Sequence, residues 1–196
     1  MIEVEKKFII IDEQEKVLID GAEFLGEKKL TDTYYDDSNY SLTACDTWLR
    51  GRNGTFELKI SMNASIEKRV SDQYRELETE KEILEYFNFD SSKTMSDFLN
   101  AKGFAPFCVI TTTRRKYKKE GFNIDLDSMD FGYTLIEVES MTDDESNIPK
   151  IIENIIAFAK KYNIVSPNYI RGKVVEYLRV NNPAHFHALI DAKVIK

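Results

Sequence analysis

Charged residues recur at every second position through several segments of this chain, with apolar residues filling the positions between. Glu3, Glu5 and Lys7 interleave with Ile2, Val4 and Phe8, and Trp48, Arg50 and Arg52 flank Leu49. Glu57 and Lys59 alternate with Phe56, Leu58 and Ile60, Asp125 and Asp127 with Ile124 and Leu126, and Glu137 and Glu139 with Ile136 and Val138. Successive side chains of a strand point to opposite faces, so each segment reads as a strand with one ionic and one apolar face. The polar face of an ordinary half-solvated sheet is rich in Thr, Ser, Gln and isolated Lys. Here it concentrates carboxylates on some strands and Arg or Lys on others. Such a sheet either turns its ionic face to water or closes so that this face lines a lumen, and closure also removes exposed edges. The charge density per strand points to the closed form: an α+β fold in which a polar-lined antiparallel barrel carries helices on its apolar outer side.

The remaining punctuation fits that layout. Strands are expected at 2–11, 30–35, 48–52, 55–60 and 74–77, with Asn53-Gly54 as a two-residue hairpin signal. Segments 107–117, 122–127 and 135–140 read as a meander turning at Glu120-Gly121 and at Phe131-Gly132-Tyr133. Helices are expected at 12–21, 79–87, 94–102, 148–162, 173–180 and 183–192, with Gly103 ending the third and Pro183 in a first turn. His185 and His187 fall on the last of these and read as helix-surface residues.

Bulk properties narrow the class. The 196 residues suffice for one substantial core, so a single domain over 1–196 is expected. No apolar run reaches the ~18 residues of a membrane span, and no basic-then-apolar leader precedes the first strand. A cytoplasmic protein, monomeric and without membrane or nucleic-acid partners, is the expectation. The net charge of −7 supports the last point, since a nucleic-acid surface needs a basic excess. Cys45 and Cys108 are too few and too far apart for a disulfide framework or a thiolate metal site.

Gathered in one lumen, Glu3, Glu5, Asp125, Glu137 and Glu139 would repel one another without a cation, and hard oxygen ligands suit Mg²⁺ or Mn²⁺. Glu76 is a further candidate, either as a metal-side carboxylate or as the partner of a basic residue. Lys7, Arg50, Arg52, Lys59, Arg114 and Lys173 form an equally dense basic set, apt for phosphate oxygens. Both sets together fit a metal-bound polyphosphate. Trp48 shares its face with the two arginines and reads either as a core residue or as a platform in the same cavity. No Ser/His/Asp arrangement, glycine-rich phosphate loop or zinc spacing accompanies them.

These residues, in order, resemble the CYTH or triphosphate tunnel metalloenzyme superfamily. The resemblance runs through Glu3-x-Glu5-x-Lys7, Thr33 to Asp36, Trp48-Leu49-Arg50-Gly51-Arg52, Glu57-Leu58-Lys59, Tyr74 to Leu77, Arg114, Asp125-Leu126-Asp127, Asp130 to Tyr133, Glu137-Val138-Glu139 and Lys173. It is greatest toward the branch that hydrolyses thiamine triphosphate. It implies a closed barrel of about eight strands, a triphosphate bound by Lys7, Trp48, Arg50, Arg52, Lys59, Arg114 and Lys173, and Mg²⁺, or Mn²⁺, held by Glu3, Glu5, Glu76, Asp125, Glu137 and Glu139. Gly51 and Thr113 depart from the basic residues common at those places. An inorganic triphosphatase, a class IV-type adenylate cyclase and a non-catalytic polyphosphate-binding module are the alternatives.

Overall fold

The computed structural model describes residues 1–9, 11–63, 65–164 and 169–196. Its strands are β1 (Ile2–Phe8), β2 (Glu23–Asp36), β3 (Thr47–Arg52), β4 (Thr55–Ser61), β5 (Asp72–Leu77), β6 (Ala105–Lys119), β7 (Phe122–Met129) and β8 (Thr134–Thr142). They close into a barrel in the order β1-β5-β4-β3-β2-β6-β7-β8, every neighbour antiparallel. β1 ends at Phe8 rather than at the expected 11: Ile9 lies past the strand, Ile11 caps α1 (Asp12–Ile19), and Ile10 lies outside the described residues. Between β3 and β4, Asn53 and Gly54 both have positive φ, 49° and 93°. A two-residue hairpin turn whose twist matches its strands needs that at both central positions.

Directly opposed residues of an antiparallel pair share a face, and the register brings the charged positions together. Arg50 opposes Glu57, Lys59 opposes Glu76, Glu5 opposes Glu139, Lys7 opposes Glu137, and Arg114 opposes Asp127. The ionic face therefore lines the lumen.

Two helical layers cover the apolar outside. α4 (Ile148–Lys161) buries Ile155, Phe158 and Ala159 against Val4, Phe8, Ile124 and Val138, with α1 adding Leu18. Over the opposite wall, α2 (Glu80–Tyr86) and α3 (Met95–Lys102) bring Ile83, Leu84 and Phe98 onto Leu49 and Leu58. Thr79 and Thr94 begin these two helices with reciprocal capping bonds to Glu82 and Asp97.

The last two helices differ from the expected outer layer. α5 (Lys173–Asn181) and α6 (Pro183–Asp191) pack Val174, Val175, Leu178 and Leu189 against Tyr34, Trp48, Ile110 and Leu135. Tyr34 opposes both Arg50 and Cys108, so this cluster belongs to the lumen side. α5 and α6 close over one end of the barrel, where the inner face turns from ionic to apolar. Among the described residues no helix is long and apolar enough to cross a membrane.

His185 corrects the surface reading: it is fully buried. Asp36 accepts from the Leu42 and Thr43 backbone N–H groups at 3.0 and 2.8 Å and from Thr43 Oγ1 at 2.7 Å. With the Thr43 hydroxyl proton directed at Asp36, His185 Nε2 donates to Thr43 Oγ1 at 2.7 Å. Tyr40 stacks on the imidazole at 3.9 Å between ring centroids. The sequence periodicity placed His185 on a helix but could not show that both sides of that helix are covered.

Burial pushes the His185 pKa below its ordinary value, against the pull of Asp36. The unfolded chain, with histidine near 6.5, then binds a proton that the native state resists. Stability is complete above that value and falls as pH drops below it, by up to about 1.4 kcal/mol per pH unit for one such group. Urea unfolding at pH 7.5, 6.5 and 5.5 should show a steeper acid loss in the wild type than in His185→Gln; parallel losses would remove His185 as the source.

Candidate active site

The barrel encloses a cavity of about 430 Å³. Trp48, Arg50 and Arg52 of β3, Glu3, Glu5 and Lys7 of β1, Glu57 and Lys59 of β4, and Glu137, Glu139 and Met141 of β8 reach it, each set sharing one strand parity. Lys173 enters from the first turn of α5.

Each predicted cation of the lumen rests on carboxylates. Lys7 bonds Glu5 and, at 2.7 Å, Asp72. Lys59 bonds Glu3 and, at 2.8 Å, Glu76. Arg50 forks onto Glu57. Arg52 donates from Nε to Asp32 at 2.5 Å, and Lys173 bonds the other oxygen of Asp32. Arg114 takes Asp127 with two donors, at 2.6 Å each, and also bonds Asp125 and, at 2.8 Å, Glu137. Burial opposes the charged state of Lys7, Lys59, Arg50 and Arg114, yet their neighbours, chiefly carboxylates for Lys7, Lys59 and Arg114 and Tyr34 followed by Glu57 and Asp32 for Arg50, hold all four above their ordinary pKa.

The carboxylates of Glu3, Glu5 and Glu139 each place an oxygen within 4.8 Å of the other two, and all three residues are buried. Burial, then the neighbouring Glu137 and Glu3 against the pull of Lys7, pushes Glu5 up to about 8. Burial together with Glu3 and Asp125 pushes Glu139 up to about 7. Burial would raise Glu3 too, but Lys59 and Arg50 lower it to about 2. Burial and the neighbouring carboxylates thus raise two carboxyls of the three in spite of Lys7 and Lys116, and a hard divalent cation would relieve that repulsion through oxygen ligands. These three residues fit Mg²⁺ or Mn²⁺.

Of the thirteen residues singled out from sequence, Asp125 alone does not line the cavity. It is fully buried behind Arg114, and Lys116 lies 3.6 Å from its Oδ1. Glu76 and Glu137 reach the lumen but sit on Lys59 and Arg114, outside the three-carboxylate group. Trp48 lines the cavity and also packs in the cluster under α5 and α6.

Sequence reasoning missed Asp32, Asp46, Arg69, Asp72 and Lys116. Asp72 and Lys116 carry the usable signal, since they extend the parity of Tyr74 and Arg114. Arg69 lies on an irregular segment where no period operates.

Fold and lumen together define a barrel with an ionic tunnel. The CYTH domain family matches residues 1–172, and the chain belongs to that family. Human thiamine-triphosphatase is 26% identical over 208 residues, covering 97% of this chain and 90% of the relative. The solved PH1819 protein of Pyrococcus horikoshii superposes with a TM-score of 0.66 at 22% identity, covering 90% of this chain and 98% of that one. A Hippeastrum protein, HpAC1, described as having a dominant triphosphatase activity, superposes at 0.57 with 18% identity, over 91% and 94% of the two chains.

Asp32 has no exposure and serves two cations at once, the half-buried Arg52 and the buried Lys173. Those cations hold its pKa well below the carboxylate range. Removing one member of a buried ionic group strands the others, at about 3–5 kcal/mol. Asp32→Ala should lose that much stability in urea unfolding at pH 7, and a loss under about 1 kcal/mol, the value of a surface pair, would show that Arg52 and Lys173 are solvated without it.

Proposed function

We propose that this tunnel hydrolyses the terminal phosphoanhydride of thiamine triphosphate in a Mg²⁺-dependent reaction, releasing thiamine diphosphate and phosphate. The observation that carries the reading is the three-carboxylate group set between two buried lysines, Lys7 on Glu5 and Lys59 on Glu3. Bound there, the divalent ion would neutralise phosphate charge and polarise the phosphoryl group toward attack by water.

Lys7, Arg50, Arg52, Lys59, Arg114 and Lys173 converge on one lumen from separate strands and α5, so they can grip a polyphosphate from several sides. Their positive charge stabilises negative charge as it shifts onto the bridging oxygen of the departing diphosphate. Asp32, Asp127 and Glu57 orient the guanidinium groups before the substrate arrives, which limits reorganisation during transfer. Trp48, two residues from Arg50 on the same face, offers an aromatic surface to the cationic thiazolium ring of thiamine. The likeness to thiamine-triphosphatase supports this choice of organic group. Inorganic tripolyphosphate is the second reading, because the lumen cations need only the phosphates.

The direct test is phosphate release from thiamine triphosphate, tripolyphosphate and ATP at a fixed Mg²⁺ concentration. The highest kcat/KM should belong to thiamine triphosphate. Preference for tripolyphosphate would transfer the assignment to an inorganic triphosphatase, and binding without phosphate release would make the tunnel a binding module.

Glu139→Gln and Glu5→Gln should each abolish turnover while the protein stays folded. Either change relieves repulsion in the ion-free cluster, so its Tm without metal should equal or exceed that of the wild type. The Mg²⁺-induced rise in Tm, which follows from binding to the native state, should disappear. An undiminished rise in both variants would place the ion elsewhere.

Trp48→Leu keeps an apolar side chain but removes the ring. A Trp face attracts a cation by roughly 0.5–2 kcal/mol, so kcat/KM for thiamine triphosphate should fall several-fold to about tenfold, at ~1.4 kcal/mol per decade. Tripolyphosphate cannot use the ring. Parallel loss for both substrates, with a large drop in Tm, would reduce Trp48 to a packing residue.

A further inference from the structure

Asp46 sits where the three-residue turn Thr43–Cys45 runs into β3, with φ 53° and ψ 37°. This left-handed conformation is rare for residues with a Cβ, and aspartate is among the few that accept it. From there its carboxylate reaches back under the strand it precedes. Oδ1 accepts the Trp48 indole N–H at 2.9 Å and the Tyr74 hydroxyl at 3.0 Å. Oδ2 accepts from Ser61 Oγ at 2.6 Å, Asn63 Nδ2 at 3.1 Å and Arg69 at 2.8 Å. A carboxylate offers about four lone-pair sites, and five donors fill them. Although Asp46 borders the cavity, it has no capacity left for a metal ion, and its negative charge does not suit a phosphate.

Trp48 and Tyr74 stand on different strands, β3 and β5, and both border the cavity. Asp46 ties their polar atoms to one oxygen, which fixes the two rings relative to each other. Beside them lie Tyr34 and, at the C-terminus, Val194 and Ile195, so aromatic and apolar side chains gather here next to Lys59 and Arg69.

We propose that Asp46 is a specificity-determining positioning residue: by anchoring Trp48 and Tyr74 it sets the wall on which the organic part of the triphosphate is read. The inference rests on the proposed assignment of that part to Trp48. An asparagine at this position keeps the shape but replaces one acceptor oxygen with a donor amide, facing the donors of Arg69, Asn63 and Ser61. The amide cannot satisfy both sides, and the anchor of the two rings loosens.

Trp48 is the only tryptophan of the chain, so its fluorescence reports this wall alone. The experiment compares wild type and Asp46→Asn in titrations with thiamine triphosphate and with tripolyphosphate in EDTA, followed by emission and calorimetry, and then measures kcat/KM for both with Mg²⁺. Thiamine triphosphate should quench wild-type emission and tripolyphosphate should not. In Asp46→Asn the emission maximum of the free protein should shift. Half-quenching should need about tenfold more thiamine triphosphate, and the ratio of the two kcat/KM values should fall by about tenfold, chiefly through KM. An unchanged ratio with unchanged emission would overturn the proposal while leaving the substrate assignment standing. Absence of quenching in a wild type that hydrolyses thiamine triphosphate would instead overturn the placement at Trp48, and the proposal with it. If Asp46→Asn does not fold, Tyr74→Phe removes one donor from Oδ1 and keeps the ring; the ratio should fall in the same direction, and an unchanged ratio counts against the proposal.

Discussion

Charge compensation inside a closed sheet governs this molecule. An ion taken from water into a protein interior costs several kcal/mol unless an opposite charge and hydrogen bonds replace its hydration. A barrel could not close over the cations of β3, β4 and β6 alone, nor over the carboxylates of β1, β7 and β8 alone. The register resolves this locally: Arg50 faces Glu57 across one pair of strands and Arg114 faces Asp127 across another. Where cross-strand partners do not suffice, more distant residues complete the balance, as when α5 delivers Lys173 to the Asp32 that already holds Arg52.

The same balance favours one class of ligand. A polyanion entering the lumen draws cations from their carboxylates, and the carboxylates then need another positive charge. Lys7 and Lys59 make the linkage explicit, since their partners Glu5 and Glu3 belong to the three-carboxylate group. Occupation of that group by a divalent ion and capture of phosphate by those lysines are therefore mutually favourable. Asp125 and Asp127 have a different part: fully or almost fully buried behind Arg114, they fix its guanidinium rather than face the ligand.

How much of this was legible in the sequence follows from the range of each interaction. Strand parity is local, so the face of Glu3, Glu5, Lys7, Arg50, Lys59 and Glu139 could be read directly, and with it the lumen. Parity gives the face but not the depth along it: Asp125 shares the lumen parity yet is buried outside the cavity lining. β2 begins at Glu23, well before its expected start at 30, because the register shift between Phe24 and Gly26 breaks the alternation that would reveal it. The burial of His185 and the closing of one barrel end by α5 and α6 depend on contacts with segments more than a hundred residues away, and no local period encodes them. Asp46 was invisible for a related reason: its donors come from β3, β4, β5 and the segment between them.

The lumen also has a direction. Along β3 the inward residues are Arg52, Arg50 and Trp48, separated by roughly 6.5–7 Å for each pair of residues. Two guanidinium positions followed by an aromatic one make a strip whose aromatic end, with Lys59 directly across from Trp48, is covered by α5, α6 and the C-terminal Val194 and Ile195. A linear inorganic polyphosphate can satisfy the ionic part but leaves the aromatic end without a partner. In the proposed reading, a triphosphate ester with a compact aromatic cation would use both parts, the phosphates at the guanidinium groups and a ring at Trp48. On the proposed assignment, that aromatic end would be the part of the tunnel that tells an organic triphosphate from an inorganic one, which is why the proposed selectivity turns on Trp48 rather than on any of the cations.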